Sequence, residues 1–257
     1  MSRLLLLQAE ILKAVGIPHA FTTRRGGVSR GAFASLNLGR GVSDEPSAVA
    51  HNRTAVLRAL GFRPRQHVEA SQVHGPVVAS ITAADGGTTV EGADGMVTGD
   101  PQVVLAVHAA DCVPILLADT RTRIVAAVHA GWKGTAAGIA VEAVKVVVDR
   151  FGARPEDLLV AIGPSIGPEH YEVDRPVIER LRVWSWWEEA ASPNARGRWQ
   201  LDLRAANRRQ LIDVGVLPER IEVLDLCTYC RADLFFSHRR DRITGRMGAL
   251  IGMNTYR

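Results

Sequence analysis

Apolar residues along this 257-residue chain gather in short runs separated by polar turns rather than in one continuous period. Val103–Val107, Val113–Ala118 and Ile124–Val128 are three such runs of β-type residues, and the turn-like "DTRTR" joins the last two. Runs of this length bounded by turn residues predict buried strands. "DLLVAIGPSIG" predicts a further buried strand ending in a Gly-Pro turn, and the tail from Ile221 to Met253 opens and closes on strand-like segments.

Helical spacing falls between these clusters. Residues 46–61 place Val49, Val56, Leu57 and Leu60 near the helical repeat, with Gly61 as the stop. "GWKGTAAGIAVEAVKVVVDRFG" predicts a helix capped by Thr135, with Ile139, Val141, Val144, Val147 and Val148 as its apolar face and Gly152 as its end. Asp174 and Asp202 read as N-caps of two more helices, joined by a connector carrying Trp184, Trp186 and Trp187. Residues 22–44 lack apolar period, are rich in Gly, Ser and Arg, and predict an extended loop. Arg24 and Arg25 before Gly26-Gly27 mark that loop for contact with an anion. Clustered strands with helices between the clusters predict an α+β fold with layered mixed β-sheets flanked by helices. With no repeat and no low-complexity linker, residues 1–257 read as a single domain.

Composition narrows the class. A hydrophobic content of 47% supports a substantial core, which excludes disorder. The formal charge is +4, and of the 31 basic residues only Lys13, Lys133 and Lys145 are lysines. The arginines are interleaved with acids, so no nucleic-acid groove is expected. Leu4–Leu7 is too short for a signal segment or a membrane span, and Gln8 and Glu10 follow it. Three cysteines argue against a disulfide framework and for the reducing cytoplasm.

The candidate chemistry centres on "HAADCVPILLAD", where Cys112 follows Asp111 at the mouth of an apolar run. Cys112 and His129 fall at or just past the ends of neighbouring predicted strands. A hairpin pairing would make them a Cys–His nucleophile or two metal ligands, while a buried thiol beside a satisfied histidine is the plainer reading. Asp111 is costly to bury without a partner. His129 leads into "AGWKGT", where exposed backbone N–H groups and Lys133 open a helix and offer an anion site. His74, before Gly75-Pro76, would project from a turn. His19, His51, His67, His108 and His170 compete with it on spacing alone. Cys227 and Cys230 form a single C-x-x-C, read as a structural or incidental pair because no thioredoxin-like βαβ pattern precedes it.

Taken together, seven segments resemble the laccase-domain, multicopper polyphenol oxidase-like family, also called YfiH-like or peptidoglycan editing factor proteins. They are "FTTRRGGVSRGAFASLNLG", "SQVHG", "ADGMVT", "ADCVPILLAD", "AAVHAGWKGT", "IGPSIGPEHYEV" and "DLCTYC…FFSHRRD…TGRMGALIGM". They run in order from Phe21 to Met253. The resemblance implies a mononuclear metal site whose ligands here are His74, Cys112 and His129, with zinc as the natural occupant and copper as a competitor. It also implies phosphorolysis of adenosine, inosine or methylthioadenosine and hydrolytic deamination of adenosine, in a monomer or homodimer. Arg24, Arg25, Lys133, Arg239 and Arg240 are the candidates for phosphate. Asp111 then either exchanges protons with the purine or orients a ligand. Ser43, in "GRGVSDEP", departs from the family's common Val-Gly-Asp. His238 stands where tyrosine is common and reads as a surface residue without a role, with a metal or phosphate contact as the alternative.

Other activities fit the same residues. The editing name implies a cysteine amidase acting on a misincorporated muropeptide precursor, with Cys112 as nucleophile, His129 as base and Asp111 as orienter. Copper-dependent oxidation of phenols is expected only as side chemistry, because one centre lacks the second copper site that four-electron oxygen reduction needs. A non-enzymatic metal-binding protein is the last reading.

Overall fold

A computed structural model describes residues 3–253 of the chain, so residues 1, 2 and 254–257 of the expected domain lie outside the described residues. The first half runs β1 (Leu6–Leu7), α1 (Glu10–Lys13), β2 (His19–Thr22), α2 (Pro46–Ala59), β3 (His67–Ser71), β4 (Val78–Ser80), β5 (Thr89–Glu91) and β6 (Gly95–Thr98). A central block follows: β7 (Val104–Ala109), β8 (Val113–Asp119), β9 (Ile124–Ala130), α3 (Trp132–Ala136), α4 (Ile139–Phe151) and β10 (Leu159–Ile162). The remainder is β11 (Glu172–Val173), α5 (Arg175–Leu181), α6 (Trp187–Ala190), β12 (Ala191–Pro193), β13 (Trp199–Leu201), α7 (Leu203–Asp213), β14 (Ile221–Val223), α8 (His238–Asp241) and β15 (Met247–Gly252).

Among the described residues the strands form two six-stranded sheets and a small three-stranded one. The first sheet has the order β1-β2-β15-β7-β3-β5, the second β14-β10-β8-β9-β6-β4 and the third β11-β13-β12. Both large sheets mix parallel pairs (β3 with β7, β10 with β14) with antiparallel ones (β7 with β15, β8 with β9). This is the expected α+β class.

Side-chain alternation stacks the layers. In β8, Leu116 and Ala118 face one way, and in β9 Val125 and Ala127 do the same. They meet Leu105 and Val107 of β7 and Ala249 and Ile251 of β15 in one buried cluster, so the two large sheets pack face to face. Ile115 and Leu117 of β8 and Ile124, Ala126 and Val128 of β9 point the other way, under α4, α5 and α7. On the far side of the first sheet, Val104, Ala106 and Leu250 are covered by Val56 and Leu57 of α2 with Leu36 and Leu38 of the long loop. The order is helix, sheet, sheet, helices. Within the described residues no helix is long and apolar enough to cross a membrane.

Local differences from the sequence reading have physical causes. The helix expected to start at Thr135 is two helices, broken where Gly138 takes a left-handed conformation (φ +80) that a side chain would strain. Thr135 is therefore inside α3, buried, and its hydroxyl accepts from Asn207 Nδ2 instead of capping. The buried face of α4 is Ile139, Ala140, Ala143, Val144 and Val147, ending at Gly152 as expected. Asp202 caps α7 by accepting from the N–H groups of Arg204 and Ala205, whereas the Asp174 side chain makes no such bond. The tryptophan connector is built into the core: Trp186 is buried and Trp184 donates to Ala136 O. It leads into β12 of the small sheet, which the sequence reading missed because its strands are only two or three residues long.

Candidate metal centre

β8 and β9 pair so that Pro114 lies opposite His129 and Val113 opposite Ala130. The two-residue period then places His129 on the same face as Val125 and Ala127, the face turned toward the first sheet. Cys112 shares the parity of Leu116 and reaches the same space from just before β8. His74 comes from the turn after β3, where its φ of 62 puts a non-glycine residue in the left-handed region. Asp111 is also left-handed, at φ 91. Both strained residues sit at or beside a ligand, so the surrounding bonds hold the chain where it would not rest by itself.

Ligand atoms of His74, Cys112 and His129 all lie within 4.8 Å of one another. The two imidazoles meet edge to face, with ring centroids 4.9 Å apart. Gly131 backs the cluster: a Cβ there would stand 2.9 Å from His74 Cδ2 and 3.1 Å from Cys112 Sγ, so only glycine leaves the cradle open. One thiolate and two imidazoles with an exposed side suit zinc with a free coordination position, and also suit copper.

The residue that the sequence reading missed is Asp94, in the "ADGMVT" segment ahead of β6. It is fully buried, and its carboxylate organises two of the three ligands. Oδ1 lies 2.8 Å from His129 Nδ1 and accepts the His74 N–H, while Oδ2 accepts the N–H groups of Val73 and Gly75. Burial opposes its charge, but the His129 bond and the backbone donors hold its pKa below the usual carboxylate value. Bonding Nδ1 leaves His129 Nε2 free to ligate, the usual outer-shell arrangement of a metal-binding histidine. A carboxylate in a segment otherwise buried was the only signal available. Burial likewise opposes charge on Cys112 and His129, yet each stabilises the other. The thiol is brought down to about 6 and the imidazole up to about 9.

Asp111 takes neither oxygen to His129, the contact the amidase reading gave it, and holds the Cys112 turn instead. It is buried, but Oδ1 accepts from the Thr228 hydroxyl (2.7 Å) and Oδ2 from the Arg239 N–H (2.7 Å). Its carbonyl accepts the Ile166 N–H. Asp111 thus anchors the turn that carries Cys112, and Asp94, not Asp111, orients His129.

A cleft of about 530 Å³ opens in front of the cluster, within the about 300–1,000 Å³ typical of small-molecule sites. Its polar lining includes Arg40, Arg53, Glu69, His108, His238 and Arg246. The five basic residues singled out from the sequence are not among the lining. Arg24 donates to Ala34 O and Ala232 O and lies over Phe236, and Arg25 pairs with Asp233. Arg239 donates to Glu172 O, and Arg240 holds the carbonyls of Thr228, Tyr229 and Phe235. Lys133 is exposed beside Trp132. These guanidinium groups are committed to binding loops together, a role that charge spacing does not reveal. The long loop does reach the cleft, but through Arg40. His238, read as a surface residue without a role, lines the cleft, with Nδ1 bonded to Arg242 O.

The fold is a layered α+β one, and its His–Cys–His cluster, a donor set that could hold a metal ion, stands at the head of an open cleft. Residues 18–254 match the family described as multi-copper polyphenol oxidoreductase laccase, and the chain belongs to that family. It is 43% identical over 248 residues to the purine nucleoside phosphorylase YlmD of Geobacillus stearothermophilus, covering 92% of this chain and 90% of that protein. Against the purine nucleoside phosphorylase YfiH of Escherichia coli K12 it is 37% identical over 236 residues, covering 92% and 93%. Among solved structures, the hypothetical protein YfiH of Bacillus licheniformis superposes with a TM-score of 0.93 at 38% identity, covering 96% of each chain.

Proposed function

We propose that this protein is a cytoplasmic purine nucleoside phosphorylase acting on adenosine, inosine and methylthioadenosine, with an adenosine deaminase activity at the same centre. The observation that carries the reading is the convergence of His74, Cys112 and His129 at the head of a nucleoside-sized cleft that also holds arginines. The names of its relatives support it.

His74, Cys112 and His129 would hold zinc, with copper able to compete for the same donors. When bound, such a cation supplies a Lewis acid and a water of lowered pKa, the reagent that replaces the purine amine. Phosphorolysis makes a different demand. A phosphate oxygen bonds to the ribose C1′ while the C1′–N9 bond breaks and its electron pair leaves on the purine. Arg40 and Arg246 are the lining guanidiniums with capacity left for that phosphate: Arg40 engages Nη1 with Glu69 Oε1 (3.1 Å) and Arg246 engages Nη1 with the carbonyls of Thr244 and Gly245. Arg53 is not free for it, since its Nε and Nη2 donate to Leu38 O and its Nη1 to Glu69. His238 lines the same cleft, with Nδ1 donating to Arg242 O.

Purified protein incubated with adenosine and phosphate should yield adenine and ribose 1-phosphate, and inosine should form without phosphate. Substituting His74, Cys112 or His129 should abolish both. Zinc-loaded, folded protein that leaves adenosine unchanged would refute the proposal.

The amidase reading keeps one observation in its favour, the Asp94–His129–Cys112 chain of contacts, which has the form of a hydrolase triad with Asp94 as orienter. It gives His74 no task. Alkylation of Cys112 at neutral pH that is equally fast with and without zinc would favour it.

A further inference from the structure

Cys227 and Cys230 sit at the junction of two loops. The loops following the parallel neighbours β10 and β14 lie side by side, and Ser165 bridges to Cys227 between them. The first loop brings Glu169 onto the two cysteines, so that a carboxylate oxygen and both sulfurs lie within 4.8 Å of one another. Cys230 Sγ is 3.6 Å from Glu169 Oε1, and the Gly167 N–H donates to Cys227 Sγ at 3.2 Å. The Glu169 carboxylate folds back over Gly167, where a Cβ would collide with it. His170 stacks on Tyr229, with ring centroids 4.1 Å apart, and locks the loops at a second point.

We propose that Glu169, Cys227 and Cys230 form a second cation site, distinct from the His74–Cys112–His129 centre, that takes zinc. Two sulfurs from a C-x-x-C pair with a carboxylate are a thiophilic donor set, and the exposed side chains of Cys230 and Glu169 leave the site open to solvent. Each thiol that ligates gives its proton to solvent. The site has a structural consequence: both loops it joins also grip Asp111, the first through the Ile166 N–H and the second through the Thr228 hydroxyl that lies between the cysteines. A bound cation staples together the two partners of the residue beside Cys112.

The test is metal titration of the full chain. Protein stripped with chelator and kept reduced is titrated with Zn²⁺ alone, and in parallel with Co²⁺, whose thiolate bonds absorb in the near ultraviolet. The expected stoichiometry is two per chain for wild type and one for Cys230→Ser or Glu169→Gln. His74→Ala should retain the loop equivalent and its cobalt–thiolate absorbance, and Zn²⁺ should raise its melting temperature, while His74→Ala/Cys230→Ser should show no such rise. Both substituted loop side chains are exposed, so these variants fold. A single equivalent in wild type that Cys230→Ser retains, an undiminished stoichiometry in Cys230→Ser, or protection of Cys230 from alkylation only by a disulfide to Cys227 would overturn the proposal.

Discussion

Asp94→Asn isolates the arrangement on which the centre depends. The substitution keeps the shape of a fully buried side chain but replaces one accepting oxygen by an NH₂ group. In the native protein the two oxygens serve four partners: His129 Nδ1 and the N–H groups of Val73, His74 and Gly75. If the remaining oxygen stays on Val73 and Gly75, the amide NH₂ faces the His74 N–H and His129 Nδ1. The first contact leaves a donor unpaired, at a cost of about 1–3 kcal/mol. The second reverses the tautomer of His129: Nδ1 must accept, so the proton moves to Nε2, the nitrogen needed for metal. Loss of such an outer-shell carboxylate lowers metal affinity about 10–100-fold, equivalent to about 1.4–2.7 kcal/mol. Competition between the protein and a chromogenic chelator for Zn²⁺ reads this directly, with circular dichroism confirming the fold. If Asp94→Asn binds zinc within twofold of wild type while folded, the carboxylate does not set the tautomer and the reasoning fails.

Other perturbations probe neighbouring parts of the site. Gly131→Ala places a methyl against His74 Cδ2 and Cys112 Sγ. Because the Gly131 backbone is extended (φ −75), the fold should survive while zinc affinity at the His74–Cys112–His129 centre falls about tenfold or more, a spacing effect of the same order as outer-shell loss; unchanged affinity would mean the cradle is wider than it looks. Arg40→Met should raise the KM for phosphate several-fold in steady-state phosphorolysis and leave deamination unchanged, since the Arg40 side chain is 65% exposed and carries little of the fold; equal loss of both activities would remove Arg40 from the phosphate role. Acid should destabilise the protein through the cluster around Glu69. Burial and the Arg53 charge lower His67 from 6.5 to about 4 and His108 to about 3, so the unfolded chain binds more protons than the native one below pH 6.5. Glu69 is lowered from 4.5 to about 2, because Arg53 and the histidines outweigh its burial, and its contribution is present above pH 4.5 and lost as pH falls toward 2. The three act in the same direction, each by about 1.4 kcal/mol for every tenfold difference in proton affinity between the folded and unfolded chain. The melting temperature should therefore fall steadily from pH 6.5 downward, and a flat profile between pH 6.5 and 4 would refute this.

The readable and unreadable parts of the chain differ in what determines them. Strands β7, β8 and β9 were legible because each is a run of apolar residues buried on both faces, and burial on both faces is a property of composition. The break between α3 and α4 was not, because a single glycine inside a helical pattern does not say whether it breaks it; here Gly138 turns left-handed, with Trp184 donating to Ala136 O beside it. Among site residues, Cys112 and His129 could be placed near each other by strand pairing, but His74 joined them only through resemblance, since its position depends on a strained turn. Asp94 was invisible for a related reason. Three of its four partners are the backbone N–H groups of residues 73–75, and no residue type announces a backbone donor.

That invisibility explains how the centre is divided. Strand β9 supplies His129 on rigid, paired backbone, and Cys112 stands one residue before β8, so the register of β8 against β9 brings the two close while Cys112 itself has no ladder partner. His74 has no strand of its own, and its left-handed φ costs energy that nothing within the turn returns. Asp94 makes up the difference: the same carboxylate that accepts from the turn also holds His129, so the turn-borne ligand is referenced to the fixed one through a single side chain. Asp111 does the same for Cys112, tying its turn to Thr228 and Arg239 on two other segments. Each ligand outside a strand is thus positioned by a buried carboxylate whose acceptors are all engaged. Substitution of these carboxylates should disturb the proposed metal centre without touching a ligand.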